Sequence, residues 1–307
     1  MKNSIFLNLI TGLSSAILFI AAVRGSVVGI ILFTLVAPLP IIIYGLGWGW
    51  ISALTSSATA AFLTAFFIHP IAGVHHLFAV GLPMVICSYL LMLKRETNEN
   101  GSSVVEWYPP GRVLFLLTLI AGTLAAISLF SFASNEHELE SIITERVDNL
   151  AIQLPDEIDG KNFASFLSKT FTPAIAVFWM AVACLNLWLG SYIIFASGLL
   201  ARPWPDLSFI TLPREGPLFM FATLSGSFLD GYPGLIALGF ASAIFIAYLI
   251  IGLAIIHNIT RKFKARTTVL IIVYIILLIY HPYTSIAISM LGIAEPILPI
   301  KRCYEDS

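Results

Sequence analysis

The chain has 307 residues, 58% of them hydrophobic and only 11% charged, with a formal net charge of −1. A mean hydropathy of +0.93 leaves too little polar surface to coat a soluble globule of this length. The balanced charge and the lack of any basic stripe give no reason to expect nucleic acid as a partner.

In chain order, the apolar runs are 5–23, 26–45, 48–68, 74–93, 112–132, 172–200, 215–229, 232–257 and 267–291. Most reach or nearly reach the ~20 residues that cross a hydrocarbon core. The expected fold is all-α: a polytopic membrane helical bundle of eight or nine transmembrane helices with an extracytoplasmic amphipathic helical insert. Residues 1–132 form a first segment of about five spans, 133–171 an acidic insert, and 172–307 a second segment of three to four spans with a short tail. The run after Lys2 is longer than a signal-peptide core and is followed almost at once by another, so it reads as a retained helix.

The second run contains Pro38 and Pro40, which interrupt the intrahelical ladder. Gly45, Gly47 and Gly49 then predict a tight turn, with Trp48 and Trp50 at the membrane interface. Broken helices are frequent in transporters, where freed backbone groups hold a solute, although a kink without a ligand is commoner. The glycines lack the Lys-Ser/Thr ending of a phosphate loop.

Small residues line the third run. Ser52, Ser56, Ala60 and Thr64 form one i+4 row, and Ala53, Ser57, Ala61 and Ala65 the row beside it. Such rows let helices approach closely in lipid; alternatively, the hydroxyls of Ser52, Ser56, Ser57, Thr59 and Thr64 line a polar cavity. The run 232–257 repeats the pattern with Gly239, Ala243 and Ala247. His69, His75 and His76 fall in the loop before the fourth run, in no zinc-binding spacing.

Leu139, Ile143, Val147, Leu150 and Leu154 recur at spacings of three and four, predicting an amphipathic helix in the insert. Asn135 and Glu138 form a capping pair ahead of it, and Pro155 ends it. Phe163, Phe166 and Leu167 suggest a second short helix. Both would lie near the outer membrane surface, as a connector resting on the bundle or as a lid over an external pocket. The run 215–229 is short and closes on the turn Asp230-Gly231-Tyr232-Pro233. His281-Pro282 interrupts the last run and predicts a bend or a fold-back.

Basic residues set the orientation. With the N-terminus in the cytoplasm, Lys94, Arg95, Arg112, Arg202, Arg214, Arg261, Lys262, Lys264 and Arg266 all fall on the cytoplasmic side, while the acidic insert falls outside. Lys301 and Arg302 of the tail also favour the inside, which argues for the fold-back. Cys87, Cys184 and Cys303 are too few and too scattered for a disulfide framework or a zinc site.

Ionisable and amide groups within apolar runs are candidate site residues, because burying them is unfavourable. Asn186 is the deepest. Asp230, His257 and Glu295 sit near span ends, where capping or interfacial roles compete. The binding candidates are therefore Asn186, Ser56, Thr59, Asp230 and His257. The packing candidates are Ser52, Ala53, Ser57, Ala61, Gly239, Ala243 and Ala247. No nucleophile–base arrangement, paired intramembrane aspartates or metalloprotease helix can be assembled, so no enzyme, metal or cofactor is expected.

Pro38-Leu39-Pro40 running into Gly45-Leu46-Gly47-Trp48-Gly49 resembles the first half of the YybS-like family of bacterial membrane proteins, domain of unknown function 2232. Trp107-Tyr108-Pro109-Pro110-Gly111-Arg112, Gly252-Leu253-Ala254-Ile255-Ile256-His257 and Leu291-Gly292-Ile293-Ala294-Glu295 resemble later signatures of that family, whose closing segment usually carries Asp where Glu295 stands. The resemblance implies a protein of the bacterial cytoplasmic membrane. The family is in turn similar to the substrate-capturing S components of energy-coupling-factor transporters. These dock a coupling subunit through small residues of the first helix, a role that would fall here to Gly12 and Ala16. The expected function is binding or transport of a small solute. A non-transporting scaffold that assembles with other membrane proteins is the alternative, and an intramembrane enzyme is third.

Overall fold

The computed structural model describes residues 5–99, 102–151 and 160–295. They are overwhelmingly helical, and the chain is an all-α polytopic membrane protein. Among the described residues, seven helices are long and apolar enough to cross a bilayer. The chain forms two compact units, Met1–Val113 with Ala181–Pro205 and Leu114–Met180 with Asp206–Ser307.

The first unit begins with α1 (Ile5–Arg24), α2 (Val27–Val36), α3 (Leu39–Trp48) and α4 (Trp50–Phe67). The Pro38–Pro40 pair separates α2 from α3, as proline's missing N–H requires. The expected glycine turn is narrower than the sequence suggests. Gly45 and Gly47 lie inside α3, and only Gly49, at φ 99°, makes the corner into α4. That backbone geometry suits glycine because no Cβ intrudes.

The fourth span starts earlier than its hydropathy implies. Pro70 opens α5 (Pro70–His76), capped by the His69 ring, which accepts a hydrogen bond from the Ile71 N–H at 3.3 Å. A π turn over Leu77–Gly81 then leads into α6 (Leu82–Leu91). His75 and His76 are therefore helical, not loop residues. The stretch read as a simple cytoplasmic loop is an antiparallel hairpin, β1 (Lys94–Glu99) and β2 (Ser102–Trp107). Arg202 anchors its base by donating to Tyr108 O at 2.9 Å and Leu91 O at 3.4 Å. Burial lowers the pKa of that guanidinium from its ordinary value.

The second unit contains α7 (Pro110–Phe132) from Leu114 onward, α8 (Glu136–Ala151) and the first part of α9 (Gly160–Ala196). The capping pair is present: the Glu138 N–H donates to Asn135 Oδ1 at 2.9 Å, and the Ser134 N–H to Glu138 Oε2 at 2.7 Å. Leu139 of α8 is fully buried with Leu129, Ala133 and Leu235, and Ile142 and Ile143 pack against that cluster. Helix α8 thus packs on its own unit through this apolar face. Its predicted end at Pro155 lies outside the described residues.

The second insert helix is not separate. Phe163, Phe166 and Leu167 belong to the start of α9, and Ala164, Ser168 and Thr172 are buried there while Phe166 is exposed. In lipid, small residues turn toward protein and large apolar ones turn outward. The Thr172 hydroxyl fixes this face by donating to Leu235 O at 2.5 Å.

Two of the expected runs are built from short pieces. The run 215–229 contains α10 (Gly216–Gly226), too short to span, and the run 267–291 splits at His281-Pro282 into α12 (Arg266–Ile279) and α13 (Tyr283–Ala294). Between them lies the long α11 (Tyr232–Ile259), whose Gly239, Ala243 and Ala247 face is buried, with Gly239 beside Thr172 and Ala125. The α13 helix lies against α11, where Ser289 Oγ donates to Phe245 O at 3.3 Å. The tail carrying Lys301 and Arg302 is outside the described residues. At the end of α11, Arg261 donates to both carboxylate oxygens of Asp206 at 2.6 and 2.7 Å. Partial burial raises the Asp206 pKa, but the bonds from Arg261 and Ser208 outweigh it and hold the carboxyl below its usual range.

Candidate binding site

The small rows of α4 are where the first unit closes. Ser52, Ala53, Ser56, Ser57, Ala60, Ala61 and Thr64 are buried. Glycine backbones from neighbouring elements lie directly on them. A Cβ at Gly12 of α1 would meet Ser56 O and Thr59, one at Gly73 of α5 would meet Ala61 O and Ala65, and one at Gly81 would overlap Ser57 Oγ. Gly12 is thus enclosed against α4, and Ala16 is fully buried; neither lies on an outer surface where another subunit would dock. Thr59 returns its hydroxyl to Thr55 O of its own helix at 2.9 Å. The hydroxyls of Ser56, Ser57 and Thr64 are buried without a hydrogen-bond partner.

Asn186 lies in the same unit, 1% exposed. Its Nδ2 donates to Leu35 O and to Val182 O, each at 2.7 Å. Leu35 belongs to the turn broken by Pro38 and Pro40, where proline has removed the donors that Thr34 and Val36 carbonyls would otherwise receive. The amide therefore stitches α9 to the broken helix, and both of its protons are used.

Of the three histidines named from the sequence, His76 is fully buried, and its partner Ser15 was not singled out. Ser15 Oγ lies 2.7 Å from Ala37 O and 3.2 Å from His76 Nε2. A carbonyl only accepts, so the single hydroxyl proton goes to Ala37 O and His76 Nε2 must donate to Ser15. His76 Nδ1 is left as a bare acceptor, buried and without a partner. The ring stands edge-on to Phe19, with centroids 5.0 Å apart. The signal for this site was the pair of adjacent histidines, but only the start of α5 at Pro70 turns the second one inward.

Beside this cluster, residues of α1 and α2 and of the segment from His69 into α5 line an open pocket of about 610 Å³. Phe19, Ala22, Val23, Ile30, Ile71 and Ala72 give it apolar walls, and His69, His75 and Thr34 supply its polar groups. These residues all come from the end of the unit where α1 turns into α2 and α4 into α5. Because His69 Nδ1 accepts from the Ile71 N–H, its proton sits on Nε2, which is a donor. Arg24 is held at the same end by donating to Phe67 O at 2.8 Å.

A family profile described as "Predicted membrane protein (DUF2232)" matches residues 14–295. The chain belongs to this family. The match takes in the Ser15–His76 cluster, the pocket and both units. Comparison with curated proteins and with solved structures finds no match.

In this DUF2232 protein the remaining candidate residues lie elsewhere. Asp230 is exposed just before α11. His257, at the far end of that helix, pairs its Nε2 with Tyr274 OH at 3.0 Å. At 1.5 Å rise per residue the two are separated by ~40 Å along the helix axis, so they serve no common site. Among the described residues, no three His, Cys, Asp or Glu side chains are grouped to hold a metal ion.

Proposed function

We propose that the first unit captures a small, largely apolar solute in the pocket between α1, α2 and α5, for binding or for transport in the manner of an S component, without catalysing a reaction on it. The carrying observation is the pocket itself. Its volume lies within the range of small-molecule sites, and His69, His75 and Thr34 stand among the residues of its largely apolar lining. The reading places the protein in a bacterial cytoplasmic membrane with its N-terminus inside. The pocket then faces the outer end of the membrane, and α8 lies outside. Asn186 enters this reading as a stitch behind the broken helix rather than as a solute contact.

The test is gentle extraction followed by native mass spectrometry of wild type and of Ala72→Trp, which fills the pocket from α5. A small molecule should accompany the wild type and be lost from the variant. The same molecule retained by both would remove the pocket from the reading.

A further inference from the structure

The chemistry of the pocket says more than its size. The chain contains no Asp or Glu before Glu96, and none between Ala181 and Pro205. The acidic residues of the first unit are therefore Glu96, Glu99 and Glu106, all after α6 in the chain. Among the described residues of the first unit, the formal charge at the pocket end is positive. Arg24 follows the wall residue Val23, and its guanidinium is positioned by Phe67 O, two residues ahead of His69. One of its N–H groups is committed there, and a guanidinium has five.

The neutral groups agree in sign. His69 presents an Nε2–H because its other nitrogen is occupied by the Ile71 amide. Thr34 adds a hydroxyl that can donate. A cationic ligand would meet donors and a like charge, with no carboxylate to receive it. An anionic head would meet a donor of fixed tautomer and an arginine that no described carboxylate of the first unit neutralises, and charge-assisted bonds of this kind are about twice as strong as neutral ones.

We infer that the pocket takes a free small-molecule carboxylate with an apolar, ring-sized body: the body against Phe19, Ala22 and Ala72, the carboxylate toward His69 Nε2–H and Arg24. This rests on the pocket reading above and specifies its ligand. The pocket's volume matches that of a small-molecule site, so the source is taken as a free solute, and the anionic-lipid arm of the experiment separates it from a bilayer lipid.

Naphthoate, naphthylmethanol and naphthylmethylammonium share one apolar body and differ in the head. They are titrated near neutral pH into the full chain in zwitterionic nanodiscs, with empty nanodiscs correcting for partition and the thermal midpoint as readout. Naphthoate should bind at least ~10-fold more tightly than the alcohol, a difference of ~1.4 kcal/mol, and the ammonium should give no shift. Arg24→Gln should erase the preference for naphthoate while keeping alcohol binding. His69→Asn, which retains a capping acceptor for the Ile71 N–H, should do the same. Ala72→Trp should abolish binding of both.

Equal affinity for naphthoate and the alcohol, a preference for the ammonium, or no naphthoate binding overturns the carboxylate inference and leaves the pocket standing. Midpoint shifts that survive Ala72→Trp overturn the pocket itself. Loss of naphthoate binding when phosphatidylglycerol is added to the nanodiscs would assign the anion site to lipid and overturn the free-solute source.

Discussion

A polar atom inside a bilayer-spanning helix has few places to go, and each one here reports a constraint. Asn186 ties its helix to the segment broken by two prolines: it donates to Leu35 O, 151 residues away in the chain, and to Val182 O one turn back in its own helix. Replacing it with leucine leaves Leu35 O without this donor. Interhelical side-chain bonds in membranes average ~0.6 and reach ~1.7 kcal/mol, and the loss of two donated bonds belongs at the upper end. Asn186→Leu should therefore destabilise the protein by about 1–2 kcal/mol in detergent unfolding. Thr59→Val, which removes a hydroxyl bonded only within its own helix, should change little. Equal midpoints for wild type and Asn186→Leu would show that the stitch contributes nothing. An amide in an apolar run is visible in the sequence, but its acceptor is not, since spacing carries no information about a partner that distant. The burial of His76, read from the sequence as a loop residue, was hidden for a related reason. Its neighbours Pro70 and Gly73 look like turn residues, whereas Pro70 in fact starts the helix and Gly73 is pressed against α4.

Helices of this protein are legible by length and misread at their ends. Hydropathy finds α1, α4, α7 and α11 because each is a long apolar run with a clear polar or glycine boundary. It joins α12 to α13 and extends α10, because it weighs side chains and ignores the backbone donor that Pro282 lacks and the turn that follows Gly226. It is silent on the hairpin, whose strands carry charged side chains. The small rows of α4 were readable, but the elements that cover them were not, and Gly81 is the instructive case. It sits at the end of a π turn, a feature frequent at functional sites, and its Cα packs on Ser57 so closely that an added methyl would overlap Oγ. Gly81→Ala should therefore lower stability by ~1–3 kcal/mol through overpacking. Ser57→Ala alone should be nearly neutral, since that hydroxyl is buried without a partner. The double variant should recover part of the loss, because the nearest remaining atom, Ser57 Cβ, would stand 3.0 Å from the new methyl. A double-mutant cycle on thermal midpoints measures this coupling. Strict additivity of the two changes would mean that the backbone shifts elsewhere to make room.

For the whole molecule, the distribution of charge is the argument that ties fold to function. Some of the basic residues on which the expected orientation rests also have structural work: Arg202 holds the hairpin base, and Arg261 is paired with Asp206. Arg95, Arg112, Arg214, Lys262, Lys264 and Arg266 remain on the same expected side, against a helix α8 rich in Glu136, Glu138, Glu140 and Glu145 on the other. Translocating basic residues is disfavoured, whereas acidic ones contribute little to orientation. In the proposed orientation Arg24 is the basic residue of the first unit placed outside, and it adjoins the pocket residue Val23. This coincidence makes topology a test of function as well. Reporters fused after Leu93, after Leu200 and within 261–266 should read as cytoplasmic, and one inserted within 140–147 should read as external. A cysteine placed at Gly25 should react with a membrane-impermeant thiol reagent added to intact cells, because it adjoins the pocket end of α1. An internal α8 together with an unreactive residue 25 would turn the pocket toward the cytoplasm. The solute would then be one the cell makes or exports rather than one it captures from outside.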